Sequence, residues 1–152
     1  MRRAIVVLVI LLAVSPALAA AQSLKGVWRG TTQVTISETG ETEVVELTRP
    51  RILIYTDAYF SWAFEPEEPR PLGDSDAEVA AAARAYNSSA GTYIRDGVNI
   101  IYNRRVATNP NARLAAAQPL VRQIRVLTAT RLVTQVTNPD GATVLLVYDR
   151  VE

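Results

Sequence analysis

Five aromatic side chains and one arginine are the residues of this chain best suited to hold a small molecule. Small-molecule sites combine aromatic walls with a few polar groups that fix the ligand's orientation. Arg104 stands on an otherwise apolar strand face. It needs a partner there, either a ligand carboxylate or an internal acid, unless the register is offset by one residue. Alternatively, the rings simply pack and fill the core. The candidate ligand-binding residues are Tyr55, Phe60, Trp62, Tyr93, Tyr102 and Arg104.

The composition excludes several kinds of catalytic site. The chain contains no histidine and no cysteine, which excludes Ser-His-Asp and Cys-His nucleophile systems and the usual zinc sites. An enzyme on this chain would need Tyr55, Tyr93, Tyr102 and Arg104 for acid–base and oxyanion chemistry, and no tight constellation supports one. We therefore predict no catalytic residues, no metal and no cofactor, and we favour a protein that is not an enzyme.

A short hairpin positions the first three aromatic residues. Its two strands, residues 51–55 and 59–64, are rich in β-branched and aromatic side chains and are joined by a short turn. A two-residue turn places Tyr55 opposite Phe60. Because side chains alternate along a strand, Trp62 then shares their face.

A second hairpin positions the remaining candidates. The sequence Asp96-Gly97 is a strong two-residue turn motif between strands over residues 90–95 and 98–108. With that turn, Tyr93 lies opposite Ile100. The register predicts a second aromatic face that looks towards the first across a common interior.

The whole chain reads as short strands around a single helix. A capping box from Ser75 to Glu78 introduces a helix predicted over residues 76–86. About nine strands joined by consecutive hairpins imply antiparallel pairing, and closure removes the exposed edges. We predict an all-β fold: one domain over residues 22–152, an antiparallel up-and-down β-barrel of eight to nine strands with one short helix.

The first 21 residues have the composition of a signal peptide. Arg2 and Arg3 precede an apolar run over residues 4–14, and alanine-rich junctions allow cleavage before Gln22 or after Ala19. An uncleaved anchor is the alternative. Cleavage before Gln22 leaves 152 − 21 = 131 residues, with 14 basic against 15 acidic side chains. A net charge of −1 argues against a nucleic-acid partner. We predict an exported protein, periplasmic or secreted, with no membrane span after cleavage.

The order of several short motifs resembles the bacterial lipocalin-like domain family. Gly26-Val27-Trp28 is similar to the G-x-W motif of lipocalins. Further matches are Ile54-Tyr55-Thr56, Phe60-Ser61-Trp62, Glu68-Pro69-Arg70-Pro71, Gly91-Thr92-Tyr93, Asn109-Pro110-Asn111 and a closing arginine, Arg150. The resemblance implies a lipocalin-like β-barrel that encloses a hydrophobic ligand, with Arg150 packed over Trp28 as a structural contact. One departure is that Ala58-Tyr59 stands where many relatives have a histidine.

Together these observations predict an exported lipocalin-like protein that binds a small apolar or amphipathic molecule in the barrel interior. Two alternatives stay open. One is a barrel enzyme of the isomerase or cyclase kind, in which positioning within an apolar cavity does much of the work. The other is a structural envelope module with a packed core.

Overall fold

The computed structural model describes residues 22–65, 75–108 and 119–152. The predicted signal peptide lies outside the described residues, as do the Glu68–Pro71 and Asn109–Asn111 motifs. Nine strands and one helix make up the described chain. They are β1 (Gly26–Ile36), β2 (Thr42–Glu46), β3 (Arg51–Tyr55), β4 (Tyr59–Phe64), α1 (Asp76–Ala85), β5 (Asn87–Asp96), β6 (Asn99–Ala107), β7 (Leu120–Leu127), β8 (Arg131–Thr137) and β9 (Thr143–Arg150).

The strands form a closed antiparallel barrel. Each strand from β3 to β9 pairs with its neighbour in the chain, β1 pairs with β3, and β9 returns to pair with β1. The barrel therefore has eight strand positions, and the predicted all-β antiparallel barrel with one short helix is confirmed. The helix begins at the Ser75–Glu78 capping box, also as predicted.

β2 does not add a ninth strand position to the barrel, because it extends the position that β3 occupies. β2 pairs with residues 32–36 of β1, and β3 pairs with residues 26–29 on the same side, because β9 occupies the other side. Consequently β2 and β3 are two halves of one strand. Pro50 lies between them and cannot donate a backbone hydrogen bond to β1.

A bulge reverses the side-chain alternation within β1. The register against β9 shifts between Gly30 and Thr32. Simple alternation from Trp28 predicts that Thr32 faces the interior. After the bulge, Gln33 is the residue directly opposite Leu146, whose side chain is buried. The bulge therefore turns polar side chains of β1, such as Gln33, towards the barrel interior.

One of the two predicted hairpin registers is correct. Tyr55 lies opposite Phe60 and Leu53 opposite Trp62, as predicted. In the second hairpin the turn is Gly97-Val98, not Asp96-Gly97, and Tyr93 lies opposite Tyr102 instead of Ile100. Gly97 has φ 57° and takes the first turn position, where a type II′ turn requires glycine.

The N-terminal segment and the last strand close one end of the barrel. Trp28 is fully buried there, and its Nε1 donates a hydrogen bond to the Leu24 carbonyl oxygen (2.8 Å). The Arg150 guanidinium lies 4.1 Å from the centre of the Trp28 ring. This is the contact that the family resemblance implies. Arg150 also donates to the carbonyl oxygens of Ser23, Lys25 and Ala129.

Candidate functional site

The opposite end of the barrel contains a cavity of about 230 Å³. Side chains from six barrel strands line it, together with Asn138 just beyond β8. Its wall is mainly apolar and aromatic, with two arginines and two amides, and none of the described residues that line it is an aspartate or a glutamate. The lining residues are Gln33, Arg51, Ile52, Leu53, Trp62, Phe64, Arg122, Val136, Asn138, Val144, Leu146 and Tyr148. We call it the mouth cavity.

Strand alternation explains why these side chains meet. Arg51 lies opposite Phe64, two residues from the Leu53–Trp62 pair, so all four share the interior face. On the other wall, Val136 lies opposite Val144 and Thr134 opposite Leu146. In the sequence, Asn138-Pro139-Asp140-Gly141 predicts a three-residue turn with a bulge that gives these same partners, and this register is confirmed.

Arg122 is a charged group of the mouth cavity with few hydrogen bonds in the described chain. It is half-buried on β7 opposite Ile100, so it shares the interior face. Its Nε atom is buried and has no hydrogen-bond partner in the described chain. One terminal nitrogen lies 3.5 Å from the Tyr148 hydroxyl, at the outer limit of a hydrogen bond. The guanidinium carbon lies 5.4 Å from the centre of the Trp62 ring.

The charge of Arg122 is maintained despite its surroundings. Burial alone would lower the pKa of Arg122, because it disfavours the charged form. Interactions with Tyr148, Tyr102 and Tyr55 outweigh burial, so the pKa is raised overall. The mouth cavity therefore carries a permanent positive charge at any physiological pH.

Arg51 is the second cation at the mouth cavity. One terminal nitrogen donates to the side-chain oxygen of Gln33 (3.1 Å), and the guanidinium carbon lies 4.6 Å from the centre of the Phe64 ring. Gln33 is available for this contact because of the bulge in β1. Arg51 is thus held by neighbouring side chains at shorter distances than Arg122 is.

A packed aromatic cluster forms the floor of the mouth cavity. The Trp62 ring lies 5.0 Å from the Phe60 ring and 5.5 Å from the Tyr102 ring, between centroids. Below it, the buried hydroxyls of Tyr55 and Tyr102 hydrogen-bond to each other. Burial raises the pKa of Tyr55 well above its usual value and that of Tyr102 to about 12. Both phenols are therefore neutral at physiological pH and cannot act as bases there.

The six predicted ligand-binding residues are divided among three places. Trp62 lines the mouth cavity, whereas Tyr55 and Phe60 pack in the core beneath it. Tyr102 packs in the same core and also borders a second cavity, of about 310 Å³, together with Tyr93 and Arg104, where β6 extends beyond β7. Residues from both faces of β5 and β6 line this second cavity, so it is a gap in the barrel wall and not part of the interior.

Sequence reasoning missed the polar residues of the mouth cavity, among them Gln33, Arg51 and Arg122. The signal for Arg122 is present in the sequence. Leu120, Arg122 and Ile124 are every second residue of one strand, so Arg122 shares a face with two apolar side chains. Arg51 has the same relation to Leu53 and Tyr55. Gln33 could not be found in this way, since the bulge that turns it inward leaves no clear sequence pattern.

The described chain contains neither an acidic metal site nor a membrane-spanning helix. Over residues 22–65, 75–108 and 119–152, no three acidic side chains come together in a way that could hold a metal ion. Within the same residues, no helix is both long and apolar enough to cross a bilayer.

Comparisons with known proteins identify no family for this chain. The chain matches no protein-family model and no curated protein. Among solved structures it is similar to an uncharacterised protein from Bacteroides eggerthii DSM 20697, with 11% identity and a TM-score of 0.47 over 84% of this chain and 99% of that chain. It is also similar to a redesigned β-barrel, with 13% identity and a TM-score of 0.41 over 85% and 92% of the two chains. Likeness of this order carries no argument about ligand or activity. The resemblance to the lipocalin-like domain family therefore stays a prediction, and the result shown is a closed eight-stranded antiparallel barrel with one additional strand.

Proposed function

We propose that the protein binds small amphipathic molecules in the mouth cavity. The observation that carries this proposal is the composition of that cavity. An aromatic floor at Trp62 and apolar walls lie beside guanidinium and amide groups, which is the mixture that small-molecule sites use. The volume of about 230 Å³ lies below the 300–1,000 Å³ typical of sites for drug-sized ligands. The proposal is therefore for a short ligand or for one end of a longer one.

The packing of the tyrosines favours binding over catalysis. The enzyme hypothesis requires Tyr55, Tyr93, Tyr102 and Arg104 to act on one substrate. Tyr55 and Tyr102 are instead buried, bonded to each other and protonated. Tyr93 donates to the Thr56 carbonyl oxygen (2.8 Å). Arg104 borders the gap in the wall. No residue of this set is positioned to transfer a proton within the mouth cavity.

Uptake of the neutral fluorescent probe N-phenyl-1-naphthylamine tests the binding proposal. We expect probe fluorescence to rise on mixing, and Trp62 emission to fall because the probe lies against its ring. Trp62→Ala should weaken uptake about tenfold or more while urea melts still show a cooperative transition. Tyr59→Ala, at an exposed aromatic residue of the same strand, is the control and should bind as wild type does.

Two results together would favour the structural alternative. They are absence of probe uptake by the folded wild-type protein and a loss of about 3 to 5 kcal/mol in the free energy of unfolding of Trp62→Ala, the usual cost of removing a fully packed ring.

Export is proposed from the leader alone. The basic start, apolar run and alanine-rich junction of residues 1–21 support removal of this segment during export to the periplasm or medium. N-terminal sequencing of the exported protein should begin at Gln22 or Ala20. A soluble cytoplasmic protein that retains Met1 would contradict export.

A further inference from the structure

We propose that the mouth cavity selects small organic anions, with a carboxylate on a short apolar body, and that Arg122 binds the carboxylate. This inference rests on the proposed function, since it names the class of molecule that the same cavity takes. It assigns a role to a charged side chain that neither the barrel fold nor the closed end requires.

The first step is the unmet hydrogen-bonding capacity of Arg122. A guanidinium has five N–H donors in a planar fork. In the described chain, the contacts of this one are a hydroxyl at 3.5 Å and an aromatic ring, and its buried Nε has no acceptor. Buried charges in proteins are normally paired and hydrogen-bonded, because desolvation otherwise makes them costly. Arg122 thus has the donors of a carboxylate site, and no carboxylate of residues 22–65, 75–108 or 119–152 accepts from them.

The second step is the charge around Arg122. The other charged side chain that lines the mouth cavity is Arg51, also a cation. The uncharged polar groups there are Gln33, Asn138 and the Tyr148 hydroxyl, and the adjacent phenols, Tyr55 and Tyr102, are neutral. No acidic group faces Arg122 from the described strands packed around it, so these strands give the cavity a positive potential. Such a potential favours an anion over a neutral molecule of the same shape.

The third step is the geometry of the remaining wall. The fork of a guanidinium matches a carboxylate through two parallel hydrogen bonds. The Trp62 ring, 5.4 Å from the guanidinium carbon, provides the apolar surface immediately beside the charge. Aliphatic side chains of β8 and β9, Val136, Val144 and Leu146, complete the wall. This juxtaposition of charge and apolar surface fits a molecule with a carboxylate at one end and a short hydrocarbon at the other.

The test compares octanoate with 1-octanol, which share a chain length and differ in charge. Isothermal titration calorimetry of the wild-type protein should give at least tenfold tighter binding for octanoate, since a hydrogen bond to a charged group contributes about 1.5 to 3 kcal/mol. Arg122→Gln should reduce octanoate affinity to that of octanol and leave octanol affinity unchanged. Arg122→Lys, which keeps the charge but loses the fork, should fall between them.

Arg125→Gln is the matched control, because Arg125 lies on the same strand but is exposed to solvent. It should bind octanoate as wild type does. Equal wild-type affinities for octanoate and octanol, no measurable octanoate binding, or unchanged octanoate affinity in a folded Arg122→Gln variant would each overturn the inference. If any of these results is found and the neutral naphthylamine probe still binds, the proposed function is supported and only the selection of anions is wrong. Failure of the inference and failure of the proposed function are therefore distinguishable. The wild-type ratio of affinities needs no variant and stands even if a substitution prevents folding.

Discussion

Two arginines on the barrel strands show how differently one residue type is used. Each guanidinium lies close to a tryptophan ring, Arg150 at Trp28 and Arg122 at Trp62. Arg150 donates to three backbone carbonyl oxygens and ties the N-terminal segment to the turn after β7. Arg122 makes no comparable bonds within the described residues. The first is a structural residue whose bonds hold the barrel together, and the second is the residue that we propose binds a ligand.

The same substitution at these two positions should therefore have opposite effects on stability. Arg150→Met should lower the free energy of unfolding by about 1 to 2 kcal/mol, because it removes a cation–π contact and leaves carbonyl oxygens without donors. Arg122→Met should leave it unchanged or raise it by about 1 kcal/mol, because an unpaired, partly buried charge is replaced by an apolar side chain. Urea denaturation of the ligand-free proteins measures both. A loss in Arg122→Met as large as that in Arg150→Met would show that Arg122 has a structural role.

At the scale of the strands, the regular hairpins were predictable and the irregular ones were not. Alternation gave the correct partners for Tyr55 and for Leu132, which lies opposite Tyr148. Alternation gave the wrong partners in the hairpin of β5 and β6. The turn starts one residue later than predicted, and the register also shifts between Ala90 and Gly91. Two adjacent residue pairs could form the turn, and the packing of both strands decides between them. A short turn motif in the sequence gives no information about that packing.

Gly91 shows what the irregular hairpin requires of the sequence. A Cβ atom at this position would lie 2.0 Å from the Asn103 carbonyl oxygen on the paired strand. The residue is glycine because the two backbones approach too closely for any side chain. Strand packing therefore explains the glycine of the G-T-Y motif.

The residues of the candidate site were likewise only partly predictable from the sequence. Trp62 was predicted to face a pocket and does line the mouth cavity. Tyr102 was placed on the interior face, but alternation says which way a side chain points and not how far along the barrel it lies. The position along the barrel separates the packed floor from the open mouth, and it depends on strand stagger around the whole barrel.

For the molecule as a whole, the buried tyrosine pair makes stability depend on pH in the alkaline range. The pKa of Tyr102 is raised to about 12 and that of Tyr55 is also raised, against about 10 in the unfolded chain. Their contribution to stability is complete below pH of about 10. It is lost as pH rises towards 12, because the unfolded chain then releases protons that the folded protein retains.

Urea melts across this pH range measure the effect. We expect the free energy of unfolding to fall by about 1.4 kcal/mol per pH unit for each buried tyrosine. A Tyr55→Phe, Tyr102→Phe double variant should lose this slope, whereas Tyr59→Phe, at an exposed tyrosine, should keep it. An identical slope in the double variant and wild type would exclude the tyrosine pair as its origin.

The pairing of the first strand with the last also determines when the barrel can form. Trp28 lies opposite Arg150, and 150 − 28 = 122 residues separate these partners along the chain. Pairing so distant in sequence gives slow folding, because a long loop must close before the contacts that stabilise it exist. A ribosome-bound chain that lacks β9 leaves β1 and β8 as open edges. The barrel therefore closes only after synthesis of the whole domain, and until then its edge strands are available for pairing with other chains.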